Sequence, residues 1–155
     1  MNSGNGRFHP EEKYTNDPDK DFPIRDKVQD FAGNEREFEI TFHRVGLGYS
    51  VQAVEIGRDP GYYFRAFDPN SPYHALGRLR ARMDRILSIR HLQKSADGYS
   101  PSHDVLRGHI TMRDGELMFV VDGVPLSLTQ LGTMAETREG FQFSLRFVDP
   151  NEEVP

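Results

Sequence analysis

Between Glu37 and His43 polar and apolar residues alternate with period two, which puts Phe38, Ile40 and Phe42 on one side of a strand. Gly46-Leu47-Gly48 supplies a turn, and Tyr49–Ile56 continues the alternation with Tyr49, Val51 and Ala53 together on one side. Asp59-Pro60-Gly61 is a second turn signal, and Tyr62–Phe67 reads as a third strand, aromatic on both faces. Three strands joined by short connections make an antiparallel meander.

After Asp68-Pro69-Asn70 the period changes. From Ser71 to Leu92 the apolar residues recur at helical spacing, and Leu76, Leu79, Met83, Ile86 and Leu87 fall within one stripe. Asn70 or Ser71 is the expected N-cap, with Pro72 tolerated in the first turn. Burying five such side chains against a sheet stabilises the fold by about 8–15 kcal/mol before chain entropy is counted. Gln93 to Leu106, rich in Ser, Gly, Pro and Asp, reads as a long loop. Arg107–Met112 and Glu116–Val121 flank Arg113-Asp114-Gly115, a hairpin. Asp122-Gly123 breaks the strand, Pro125–Met134 reads as a short helix, and Gly140–Phe147 as a last strand with Phe141, Phe143, Leu145 and Phe147 turned inward. The order β-β-β-α-β-β-α-β specifies an α+β fold: an antiparallel sheet with one long amphipathic helix across a face.

Residues 1–33 carry no apolar period and are expected to be a disordered leader; residues 34–149 form a single domain, and 150–155 an acidic tail. Within the leader, Phe8, Phe22 and Ile24 are candidates for a short docking motif. At 155 residues, with 36% hydrophobic and 28% charged content, the chain suits one soluble domain. No run reaches the roughly 18 apolar residues of a membrane span, and the N-terminus lacks the apolar stretch of a signal peptide. No cysteine is present, which excludes disulfides and thiolate chemistry. A cytoplasmic location is the default expectation.

The net charge of −5 is unevenly spread. Residues 36–148 hold 14 basic and 13 acidic groups, so the acidity belongs to the ends. Thirteen of those 14 cations are arginine, whose planar fork suits carboxylates, phosphates and interfaces. On the long helix Arg78, Arg82 and Arg85 align at i, i+4 and i+7, with His74 one turn earlier, opposite the apolar stripe. Such a row is either a solvated face or a contact surface. As a contact surface it fits an acidic protein best, because a nearly neutral body has no general pull on nucleic acid; nucleic acid or an anionic ligand is the alternative.

Chemistry-bearing motifs are sparse. The six histidines show no metal-ligand spacing, so no metal or other cofactor is expected. His103-Asp104 is the nearest approach to a catalytic pair, but neighbours in sequence rarely supply nucleophile–base geometry, and ordinary loop polarity is the better account. Tyr62, Tyr63, Phe64 and Phe67 could stack bases, but Arg65 alone accompanies them, which favours core packing.

The segments GYYFRAFDPNSPYHALGRLRARMDRILSIRHL and VDGVPLSLTQLGTMAETREGFQFSLRFVD together resemble uncharacterised bacterial domains of unknown function. In those, a strand, a long Arg-rich helix ending near His-Leu and a final Glu-Gly-Phe strand recur. The resemblance covers about half the chain and implies the α+β fold, with no activity attached. The expectation from the residues is therefore a non-catalytic interaction module, accessory or regulatory, of a bacterial system, with its oligomeric state open.

Overall fold

A computed structural model describes residues 13–96 and 98–152. The first half builds a four-stranded antiparallel sheet in the order β1-β2-β3-β4, from Ile24–Gln29, Glu35–Val45, Gly48–Glu55 and Tyr63–Asp68. A single turn of helix, α1 (Pro18–Asp21), precedes it. The alternation in β2 and β3 sets the register: Ile40 stands between Ile24 and Ala53, and Val51 opposite Ala66. The apolar face so formed is covered by α2, Pro72–Leu87, which packs on β3 and β4. Phe38, Ile40, Val51, Ala53, Leu79, Met83 and Leu87 are fully buried between the two layers. The helix opens as its sequence specifies: the Ser71 hydroxyl accepts from the N–H groups of Tyr73 and His74 at 3.0 and 3.3 Å, and Pro72 follows directly.

The second half has its own sheet and core. β7 (Gly108–Arg113), β8 (Glu116–Val121) and β9 (Val124–Ser127) form an antiparallel three-stranded sheet. A small hairpin, β5 (Leu92–Ser95) with β6 (Gly98–Pro101), and α3 (Leu128–Glu136) pack on one of its faces around Leu92, Val121, Leu126 and Met134. The opposite face meets the first sheet, with the His109 ring 5.5 Å from that of Tyr63. The fold is α+β, with antiparallel pairing throughout. Among the described residues no helix is long and apolar enough to cross a membrane.

Four sequence expectations change. First, the stretch expected to be a leader contains α1 and β1, and Phe22 and Ile24 lie in the first core at 8% exposure, so they are not available as a docking motif. Phe8 lies outside the described residues. Second, α2 stops at Leu87, because the Ser88 hydroxyl takes the Arg85 carbonyl and the chain turns so that Leu92 enters the second core. Third, Asp122-Gly123, with φ of 53° and 77°, is a tight hairpin turn joining β8 to β9, so Pro125–Ser127 is strand and the helix starts later. Part of the expected loop 93–106 likewise becomes β5 and β6. Fourth, residues 141–149 pair with no strand among the described residues.

Candidate interaction surface

The arginine row does not stand free on the helix. β4 ends at Asp68, which is 3% exposed and accepts from the N–H groups of Asn70 and Ser71. Those backbone donors foremost, with Arg78 and His74 beside them, hold its carboxyl below the usual carboxylate range. Arg78 lies 3.4 Å and His74 3.9 Å from that carboxylate. Arg82 is half-buried and donates to the carbonyls of Arg65 and Asn151, the latter at 3.2 Å. Arg85 is exposed at the far end. The three arginines and His74 do share a face, and much of its charge serves strand exit and tail attachment.

Arg80, off that row, carries a role the periodicity missed. The inward positions of β1 are Ile24, Asp26 and Val28, so a carboxylate sits in the apolar face at 2% exposure. Arg80 reaches across from α2 and clamps it with two bonds of 2.9 Å. A second buried network lies within the first half, where the Gly123 turn of the second half comes close to Tyr62 and Arg36. Arg36 donates to Asp30 and Glu55, each at 2.9 Å, and its guanidinium lies 5.0 Å from the centre of the Tyr62 ring. Burial opposes ionisation of Asp30, but the Arg36 bond and the N–H groups of Ala32 and Asn34 outweigh it and hold the carboxyl low. Burial likewise pushes the Tyr62 hydroxyl far up. Within the second half, the Asp122 carboxylate accepts from the N–H groups of His91 and Leu92 at 2.7 and 2.8 Å, and lies 3.0 Å from His91 Nδ1. The Arg36 network ties the β1–β2 turn to β2 and β3, and Asp122 ties the β8–β9 turn to the start of β5.

His103 and Asp104 do not form a nucleophile–base arrangement. Asp104 takes the guanidinium of Arg138 at 2.7 Å, well away along the chain. Tyr62 and Phe64 stack within the core, and Tyr63 packs on His109.

The remaining surface feature is the last segment. Thr137–Gly140 form a turn, after which the chain runs from Phe141 to Asp149 without bend, turn or ladder. Every residue from 139 to 147 is exposed: Phe141 66%, Phe143 90%, Leu145 69% and Phe147 73%. These are the four residues whose alternation specifies a one-sided strand. The expected strand and its inward burial are absent: the segment is unpaired, and none of the described residues buries these four side chains. The Arg138–Asp104 pair ties down one end of the segment. At the other end Asn151 sits 3.4 Å from the Ser50 hydroxyl and accepts from Arg82. Burying four such side chains is worth about 6–12 kcal/mol, and a contiguous exposed apolar area of this size marks an interaction site on a soluble protein.

Residues 20–88 match the model of a domain of unknown function, DUF7686, and residues 91–152 match that of a second, DUF7713. The division falls between α2 and β5, where the first core gives way to the second. No curated protein and no solved structure matches the chain.

Proposed function

We propose that this chain is a non-catalytic interaction module, an accessory or regulatory component of a bacterial cytoplasmic system, whose contact surface is the segment Phe141–Phe147. The observation that carries the reading is the exposure of four large apolar side chains on alternating positions of an unpaired segment that is fastened at both ends. The arginine row moves from principal site to border. Arg82 attaches it to Asn151, so exposed Arg78 and Arg85 stand near the end of the apolar segment. A polar rim around an apolar centre is the usual anatomy of a protein interface, and this rim suits acidic groups on the partner.

The test is capture of a binding partner from the native host by the tagged chain, compared with F143D/L145D and with R78E/R85E. The apolar variant is expected to lose capture while keeping the wild-type circular dichroism spectrum, since neither side chain belongs to a core. Charge reversal should weaken capture modestly and chiefly at low salt. Capture that ignores F143D/L145D and collapses with R78E/R85E and rising ionic strength would instead establish an electrostatic site, such as one for nucleic acid.

A further inference from the structure

We infer that the occupant of the Phe141–Phe147 segment is a second copy of this chain, and that the segment lies against the free β7 edge and uncovered apolar face of that copy. This rests on the reading of the segment as the contact surface, and adds the partner. The second observation lies in the sheet β7-β8-β9. Cross-strand pairing puts Ile110 with Phe119 and Met112 with Leu117 on one face. Near β9 that face is covered by α3 and the β5–β6 hairpin, which bury Val121 and Leu126. Toward the β7–β8 turn it is bare: Ile110 is 48%, Met112 62% and Leu117 38% exposed. β7 is an edge strand, with β8 its neighbour on one side only. The other face of β7 is occupied, through His109 on Tyr63, so the bare face is the one open to an additional layer or strand.

Among the described residues each chain therefore carries an unpaired segment with large apolar side chains at alternate positions and no acceptor, and a sheet edge with an apolar shelf and no donor. Phe143 at 90% exposure is not resting on its own shelf. Reciprocal exchange between two copies satisfies both elements twice and closes under two-fold symmetry, leaving no unfilled site to propagate a fibre. An edge strand gains backbone hydrogen bonds from the added segment, while the alternating Phe and Leu side chains cover the shelf. The area is of the right size. Four side chains and a shelf of three, counted on both copies, amount to on the order of 1,500 Å² removed from water, within the range of a stable dimer. By the same alternation the polar positions of the added segment, Gln142, Ser144 and Arg146, fall on the other sheet face, the side of His109 and Thr111.

Sedimentation equilibrium of the purified full chain over a concentration series tests this. The wild type is expected to be a dimer. The donor variant F143D/L145D and the acceptor variant M112D, both altered at exposed positions, should each weaken self-association by roughly 30-fold or more, the size of one interface hot spot. Their circular dichroism should stay unchanged. An equimolar mixture of the two variants carries one intact donor and one intact acceptor, so a heterodimer should form that neither gives alone. Retention of the dimer by M112D, or failure of the two variants to complement, would overturn the exchange. A wild type that is monomeric throughout would overturn the second copy as occupant. In that case, loss of host-partner capture by F143D/L145D would leave the interaction reading standing, and unchanged capture would remove both.

Discussion

Replacing Arg36 with methionine keeps the length and much of the volume of the side chain while removing the guanidinium that joins Asp30 to Glu55. The three side chains are 8%, 0% and 4% exposed, so water cannot take over the lost role. Asp30 keeps its two backbone donors on Oδ1, but Oδ2 loses the Arg36 bond. Glu55 keeps the Tyr62 N–H on Oε1, and Arg58 at 3.8 Å is too distant for a hydrogen bond to replace Arg36 at Oε2. Removing one partner of a buried ion pair costs about 3–5 kcal/mol. Two pairs share this cation and do not add, so the expected loss is about 4 kcal/mol near pH 7. With a urea slope of about 2 kcal/mol per molar the midpoint falls by roughly 2 M.

The pH dependence supplies a second check. In the wild type the Asp30 carboxyl is depressed, so its contribution is present above the unfolded value near 3.8 and is lost as pH falls through the lower folded value. In R36M the Asp30 carboxylate is buried without that cation and binds a proton more readily, so mild acid relieves it. The gap between R36M and the wild type should accordingly be narrower at about pH 4.5 than at about pH 7. The triple variant D30N/R36M/E55Q, which removes all three charges together, should recover at least half of the loss. A loss below about 1 kcal/mol in R36M, or a triple variant no more stable than R36M, would refute the claim that this network stabilises the fold by charge pairing.

Two further outcomes follow from the same geometry. Gly123 has φ of 77°, and a Cβ there would stand 3.1 Å from the Tyr62 ring and 3.3 Å from Arg36 Nη1, so G123A should destabilise by about 1–3 kcal/mol in urea denaturation with no change in helical content. Burial lowers the His109 imidazole below its ordinary value near 6.5, so the unfolded chain binds the extra proton first and stability should fall as pH drops through that value; H109Q should flatten the difference between urea midpoints at about pH 7.5 and pH 5.5.

Several parts of this structure are legible because their signals are local. The alternation through Phe38, Ile40 and Phe42 reports one strand face, and the spacing of Leu76, Leu79, Met83 and Leu87 reports one helix face. Ser71-Pro72 and Asp114-Gly115 mark a helix start and a hairpin through the conformations of a few adjacent residues. The same local logic was available at Asp122-Gly123, where a second Asp-Gly turn between apolar runs signals β8–β9. β1 was not legible, because two apolar residues flanking an inward aspartate resemble leader sequence until Arg80, fifty-four residues away, neutralises that aspartate.

The candidate site divides along the same line. By itself the sequence determined that Phe141, Phe143, Leu145 and Phe147 recur at alternate positions, and that Arg78, Arg82 and Arg85 share one side of a helix. Periodicity specifies which side chains lie together, since it follows from backbone geometry alone. It carries no information about what stands opposite them. Only the tertiary structure decided that Asp68 and Asn151 draw on the arginine row, that Asp122 secures His91, and that the apolar segment is left uncovered by the described residues. Those outcomes depend on groups distant in sequence meeting in space, which is the level at which both the buried polar networks and the interaction surface arise.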